Sequence, residues 1–129
     1  MSLILFRRFV QSQWWSVIAE LPFGFQHAAR HIVISVKRHS GARSAGLIMG
    51  EFQGCMLSCP MAHRHLPATV TLYRDEIIWT TNREQLLRSI RGVIIHELCH
   101  WFGLTDAQAW KVGQGHEWFQ QIQSQWKIS

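Results

Sequence analysis

Two histidines and a glutamate lie within a segment that is otherwise almost entirely apolar, "GVIIHELCHWFGLTD" over residues 92–106. His96 and His100 are four positions apart, so on a helix both side chains project from the same face. Two imidazoles in that arrangement can bind one Zn²⁺ ion, each at about 2.0–2.1 Å from the metal. Glu97 lies beside the first histidine, within reach of a water on the metal. A metal site would give partners to polar groups whose burial alone is costly.

The spacing of these three residues is the HExxH pattern of zinc peptidases. Zinc lowers the pKa of a bound water to about 7, and Glu97 would take the proton of that water and return it to the leaving amine. The other interpretation is a pair of core histidines that are hydrogen-bonded to the backbone or to each other. Because a charged residue such as Glu97 is rarely buried without a partner, the pattern favours the zinc site.

A catalytic zinc site needs a third protein ligand and leaves its fourth position to water. Gly103 can adopt a positive φ without strain and turn the chain back toward the metal, which would bring Asp106 close as an oxygen ligand. A carboxylate at Asp106 would also be favourable in the first turn of the next helix. His116, in "GQGHEWF", is the alternative third ligand, and its other interpretation is a surface histidine.

Two helices are predicted to position these residues. The first spans residues 82–102, because Asn82 is a typical N-cap residue and Gly103 suits the left-handed position after the last turn. The second is predicted over residues 105–126 and begins with "TDAQ", the pattern of a capping box. The metal ligands would then come from one helix and from the turn that follows it.

The rest of the chain predicts a mixed architecture. Apolar residues at near-helical spacing over 7–20 indicate an amphipathic helix. Residues 31–37 and 68–74 read as strands, and the glycine-bearing segment 39–66 as a loop with one short strand near 47–52. Strands and helices do not alternate strictly, so the expected fold class is α+β, a small sheet with helices packed on one side.

Length and composition indicate one globular domain over residues 1–129, since 47% of the residues are hydrophobic and 16% are charged. The odd number of cysteines, three, argues against a full disulfide framework. The arginines of "MSLILFRRFV" follow the apolar run, which is the reverse of the order in a secretory signal. We therefore expect a cytoplasmic protein with no membrane partner.

Beyond the motif, the sequence resembles the compact bacterial zincin-like metallopeptidases with the signature HExxHxxGxxD. The resemblance rests on "LPATVTLYRDEI" and "NREQLLRSIRGVIIHELCHWFGLTD" and covers about residues 66–108 well. "GLIMGEFQG", residues 46–54, resembles the glycine-bearing segment of that family. The resemblance implies a minimal zincin fold, with a small mixed β-sheet, helices packed on it and a central HExxH helix. No methionine follows Met61, so the Met-turn of metzincins is absent.

By matching positions, the resemblance implies a Zn²⁺ cofactor bound by His96, His100 and Asp106, with Glu97 as the catalytic base. It also implies a zinc-dependent metallopeptidase whose substrate is a peptide or a protein. The segment "HEWF" is similar to SprT-like proteases, in which a later histidine completes the site. His116 therefore stays an alternative to Asp106 as the third ligand.

Two other hypotheses remain open at this point. The net charge of +5 is compatible with a non-catalytic binding module on a zincin-like scaffold, one that uses its basic surface on nucleic acid. A second metal site would need Cys55, Cys59, His63 and His65, although two thiols four apart in a loop are more often small packed residues.

Overall fold

The computed structural model of the protein describes residues 1–41, 48–58 and 67–126. These residues form helices and strands in the order α1 Leu3–Ile18, α2 Phe23–Ala29, β1 Ile32–Lys37, β2 Gly50–Gln53, β3 Ala68–Tyr73, α3 Arg74–Thr80, a 3₁₀ helix Arg83–Gln85, α4 Leu86–Trp101, α5 Asp106–Ala109 and α6 Trp118–Gln125. The predicted α+β class is confirmed.

The three strands form a mixed sheet in the order β1-β3-β2. β1 runs parallel to β3, with Ile32 opposite Ala68, and β2 runs antiparallel to it, with Gly50 opposite Leu72. β3 is paired on both sides and is almost wholly buried, as expected of a central strand. The strands predicted at 31–37 and 68–74 are present, and the short strand expected near 47–52 is β2.

The core lies between the sheet, α1 and α4. The central helix α4 buries Ile90, Ile94 and Leu98 completely, and these residues recur at the i, i+4, i+8 spacing of one helical face. α1 packs against α4 and β1 and contributes Phe6 and Val10, which are also fully buried. Each such side chain contributes roughly 1.5–3 kcal/mol through burial. The polar motif residues are therefore held on a helix whose opposite face is fixed in the core.

α1 begins earlier than the predicted helix at 7–20. The Ser2 side chain accepts a hydrogen bond from the Leu5 backbone N–H at 3.1 Å, which caps the helix. The buried Phe6 lies one turn before Val10 on the same face. The apolar face of α1 thus extends one turn further toward the N-terminus than the predicted segment 7–20.

The prediction of one long helix over residues 105–126 is wrong, because this segment forms two short helices, α5 and α6. Gly113 and Gly115 lie in the intervening segment, where they disfavour a helix. The Arg91 side chain donates to the Gln114 carbonyl at 2.6 Å and to the Gly115 carbonyl at 3.1 Å. These carbonyls are bound by an arginine of α4 rather than by the next helical turn.

Two further helices were not predicted. α2 has Pro22 at its N-cap position, and the Pro22 carbonyl accepts the backbone N–H groups of Phe25 and Gln26. α3 follows β3 without a loop and has Asp75 and Glu76 in its first turn, where acidic side chains are favourable. In the part of the chain that the structure covers, no helix has the length and apolar character needed to cross a bilayer.

Candidate metal centre

The ends of two imidazole side chains converge on one carboxylate oxygen. Nε2 of His96 lies 3.1 Å from Oδ1 of Asp106, and Nε2 of His100 lies 2.8 Å from the same oxygen. The two rings are 5.0 Å apart between centroids and nearly perpendicular. Ligand atoms of His96, Glu97 and His100 also lie within 4.8 Å of one another. Four of the predicted site residues are thus brought together at one end of α4.

The turn after α4 brings Asp106 to the histidines. Gly103 has a φ of +94°, and its N–H bonds the His100 carbonyl at 2.9 Å while the Leu104 N–H bonds the Cys99 carbonyl at 2.9 Å. This is the Schellman arrangement that ends a helix. Thr105 caps α5 in a complete capping box, so Asp106 occupies the first turn of α5 and also contacts the imidazoles. Its two predicted roles are compatible.

The hydrogen bonds of His100 fix which of its nitrogens can face a metal. Nδ1 lies 2.9 Å from the Leu104 carbonyl, and a carbonyl only accepts, so the proton is on Nδ1. In the neutral imidazole Nε2 then carries a lone pair directed at Asp106. Such a backbone partner commonly orients metal-bound histidines. Lone pairs this close repel unless a cation, either a proton or a metal ion, lies between them, so the donor set fits a metal.

The protonation states of the site also suit a metal. Burial lowers the pKa of His96 below its usual value, although the hydrogen bond that His96 donates to Asp106 opposes this shift. The hydrogen bond from His96, together with the nearby imidazole of His100, holds the pKa of Asp106 below its usual range. Neutral imidazole and ionised carboxylate are the forms that coordinate metals.

Glu97 is the buried carboxylate of the site. Its residue is only 5% exposed, and burial raises its pKa to about 7. The negative charges of Asp106 and Glu51 act in the same direction, whereas the His100 charge and a hydrogen bond from the Phe52 backbone N–H act against the shift. A carboxylate with a pKa near neutrality can both accept and return a proton, which a general base needs.

The motif residues line an open cleft of about 760 Å³. One wall is β2 with the residues just before it, and the floor is the exposed side of α4. The opposite wall is the α5–α6 connection, which contributes Trp110 and Gln114. The Trp110 indole, 71% exposed, lies against the His96 ring at 4.6 Å between centroids. The cleft is long enough for a ligand to extend along α4 from the paired histidines.

His116 lies in a different set of contacts. Its Nδ1 is 2.6 Å from Oε2 of Glu20, and its side chain is 91% exposed. Glu20 also bonds Arg91 and Trp118, so His116 belongs to a cluster that links the end of α1 to α4 and α6. His116 does not line the cleft.

The Tyr73 hydroxyl, near the cleft, donates a hydrogen bond to Glu51 at 3.0 Å. Burial and this carboxylate raise its pKa to about 12, so it stays protonated. Glu51 itself lines the cleft and was not recognised from the sequence, where it appears only as one acidic residue in a glycine-bearing segment. The suggested second metal site falls mostly outside the described residues, since Cys59, His63 and His65 lie there, and Cys55 is half-buried.

The comparison with known families agrees with this geometry. Residues 29–115, more than half of the chain, match the model of the zincin-like metallopeptidases. None of the curated proteins compared with the chain is similar enough to count as a relative. The match includes β1, β2, β3, the whole of α4 and Asp106. Because this family usually binds zinc, the group at the end of α4 is a candidate metal centre. The match over residues 29–115 shows that the chain belongs to the zincin-like metallopeptidase family.

Proposed function

We propose that the protein is a zinc-dependent peptidase in which His96, His100 and Asp106 bind the metal and Glu97 is the general base. The convergence of both imidazole Nε2 atoms on one Asp106 oxygen is the observation that carries this proposal. Family membership supports it. The buried Glu97 supports catalysis in particular, because a purely structural zinc site has no need of a base.

A zinc ion held by these three residues would acidify a bound water toward a pKa of about 7 and polarise the carbonyl of the scissile peptide. Glu97 then accepts the proton that the attacking water loses. The protonated Glu97 carries this proton to the leaving amine, so the carboxylate is restored after each cycle. Its burial in the floor of the cleft keeps bulk water from competing for the proton.

We further propose that an extended peptide lies along β2. Central β3 already pairs along both of its edges, so it has no free edge for a peptide strand. Among the described strands, β2 is the one at a sheet edge beside Glu97. Addition of a peptide strand at such an edge gives main-chain hydrogen bonds without regard to sequence.

The substitution Glu97→Gln tests the catalytic role. The variant should keep about one zinc per chain, because Glu97 is not a ligand, while peptide cleavage falls by about 10²–10⁴-fold. Zinc content by atomic absorption and cleavage of a degenerate peptide pool by mass spectrometry measure the two quantities. His96→Ala is the matched control and should lose the metal. A wild-type protein that binds no zinc at saturation, or an active Glu97→Gln, would contradict the proposal.

The third ligand is tested by comparing Asp106→Ala with His116→Ala. Loss of a ligand oxygen should weaken zinc binding at least tenfold in Asp106→Ala, given that even indirect partners of a metal site contribute ten- to a hundredfold. His116→Ala should retain the wild-type zinc affinity, since His116 contacts Glu20. Competition with a chelating dye gives both affinities. The reverse ranking would assign the third position to His116.

A further inference from the structure

The side-chain amide of Gln114 lies in the cleft, packed against α4 at Gly92. A Cβ on residue 92 would collide with Nε2 of Gln114 and would lie 2.8 Å from its Cδ. Only glycine therefore lets the amide approach the helix this closely. Gly92 precedes His96 by four residues, so the amide lies about one helical turn, roughly 5.4 Å along the axis, from the metal ligands and on the same face.

The backbone of Gln114 is held by Arg91. Nε of Arg91 donates to the Gln114 carbonyl and Nη2 to the Gly115 carbonyl, at 2.6 and 3.1 Å. Nη2 also forms an ion pair with Glu20 at 2.8 Å, and the two side chains are only 14% and 11% exposed. Because Arg91 is fixed by this buried partner, the segment that carries Gln114 has a defined position although it belongs to no helix.

The Gln114 amide itself is available for a ligand. Within the described part of the chain, its side chain takes part in no hydrogen bond, whereas the carbonyl of the same residue is bound to Arg91. A primary amide has a carbonyl acceptor and N–H donors, so it can pair with both the N–H and the carbonyl of a peptide main chain. An extended chain advances about 3.3 Å per residue, so this amide would meet a peptide about two residues from the scissile bond.

We propose that Gln114 is a substrate-binding residue that hydrogen-bonds the main chain of the peptide, and that Arg91 is the positioning residue that holds it. This inference rests on the proposed function, because it takes the ligand of the cleft to be a peptide. Recognition of the main chain makes the site selective for the length of a peptide more than for its side chains.

Oligoalanine hydroxamates with one or four alanines, prepared with the hydroxamate at either end of the peptide, test the proposal. The hydroxamate anchors each probe at the metal and so fixes how far it reaches along the cleft. Calorimetry on the zinc-loaded protein gives the dissociation constants. For one of the two orientations, Gln114→Ala should weaken the four-alanine probe about three- to tenfold, the effect of one or two hydrogen bonds, and leave the one-alanine probe unchanged.

Gln123→Ala, an exposed substitution on α6, is the matched control and should alter neither probe. Equal affinities of wild type and Gln114→Ala for both four-alanine probes would overturn the proposal. An equal loss for short and long probes would also overturn it, because it would place the effect at the metal.

The role of Arg91 is tested with Arg91→Met and the double variant with Gln114→Ala. If Arg91 acts through Gln114, both single variants should bind the same four-alanine probe more weakly than wild type. The double variant should then bind it no more weakly than whichever single variant has the lower affinity. Arg91→Lys should restore part of the affinity. Additive losses would assign Arg91 a general structural role instead.

The same probes separate this inference from the proposed function. Zinc content and peptide cleavage report on the catalytic site, whereas the difference between long and short probes reports on Gln114. A protein that binds zinc and shows the length effect but cleaves no peptide would contradict the peptidase and support the subsite. A protein that cleaves peptides without the length effect would do the opposite.

Discussion

At the scale of single residues, the two nitrogens of His100 have different partners. Nδ1 is bound to the Leu104 carbonyl, and Nε2 faces Asp106. The i, i+4 spacing of the motif predicts that His96 and His100 share a face, but it says nothing about a carbonyl after the end of the helix. The orientation of His100 depends on the turn at Gly103, so motif and turn form one unit.

Glu97 predicts a pH dependence of stability in the metal-free protein. The folded protein holds its proton up to a pKa of about 7, whereas the ordinary value is 4.5. Between these values the folded state binds more protons than the unfolded chain, so the free energy of unfolding falls as pH rises through this window. The loss should approach roughly 3 kcal/mol.

Urea denaturation of zinc-free protein at pH 5 and pH 8 measures this loss. Glu97→Gln cannot ionise, so its stability should decline less than that of the wild type over the same interval. Parallel pH profiles for the two proteins would show that burial of Glu97 does not control the effect.

The predicted site residues lie close together in the sequence, whereas the residues that were not predicted come from distant parts of the chain. His96, Glu97 and His100 lie within one turn of helix, and Asp106 follows one short turn later. Local patterns, together with the family resemblance, predict these four as site residues, with His116 as the alternative to Asp106. Glu51, Gln114 and Arg91 reach the cleft or its wall through contacts between separate elements, which no local spacing encodes.

At the scale of elements, the site depends on the close approach of β2 to α4. A Cβ at Gly50 would lie 2.5 Å from Cγ1 of Val93 and 3.3 Å from Cγ of Glu97. The Phe52 backbone N–H bonds the Glu97 carboxylate from the same strand. The glycine thus permits the contact through which a strand edge meets the proposed base.

The substitution Gly50→Ala should destabilise the protein by about 1–3 kcal/mol, because the added methyl forces β2 away from α4. Thermal unfolding measures this change. Gly24→Ala is the control, since a Cβ there meets nothing within 4 Å and alanine favours the helix. If Gly50→Ala and Gly24→Ala had the same unfolding temperature, the close approach of β2 to α4 would not matter for stability.

The accuracy of the predicted elements follows from how each one is stabilised. β1 and β3 match their predicted ranges to within one residue. α4 begins at Leu86, four residues after the predicted start, because Arg83–Gln85 form a 3₁₀ helix that Asn82 caps. The prediction of one helix over 105–126 was wrong because it depended on the strong cap at the start of this segment. The carbonyls in the middle of the segment are bound by Arg91 of α4 and not by a following helical turn. A capping box marks where a helix begins but does not determine how far it continues.

At the scale of the whole molecule, the Glu20 cluster joins α1 to α4 and α6. Burial alone would raise the pKa of Glu20, but the hydrogen bond and charge of Arg91 outweigh it, together with His116 and Trp118, and hold the pKa below its usual value. Stability from this group is therefore present above pH 4.5, the ordinary value, and is lost as pH falls through the lower pKa of the folded state.

Glu20→Gln should cost about 3 kcal/mol near neutral pH, because it leaves the largely buried Arg91 cation without its counter-ion. Guanidinium denaturation at pH 7 and pH 3 measures this cost, and the difference from wild type should shrink at the lower pH. Glu117→Gln, at an exposed position, serves as the control. A constant difference at both pH values would contradict the assignment.

The single domain over residues 1–129, the cytoplasmic location and the nucleic-acid alternative stay predictions. The last of these depends on net charge, and charge-driven binding to nucleic acid would weaken steeply with salt and survive Glu97→Gln. The fold class and the family, by contrast, were accessible from the sequence because α4 and its motif dominate both.

The indole of Trp110 rests on the ring of His96 and is mostly in solvent. A metal ion that binds the His96 imidazole would change the electrostatic environment of the Trp110 indole, which is a fluorescent side chain. Ion binding at His96 should therefore change the intrinsic fluorescence of the protein, and a Trp110→Phe variant should lose this change.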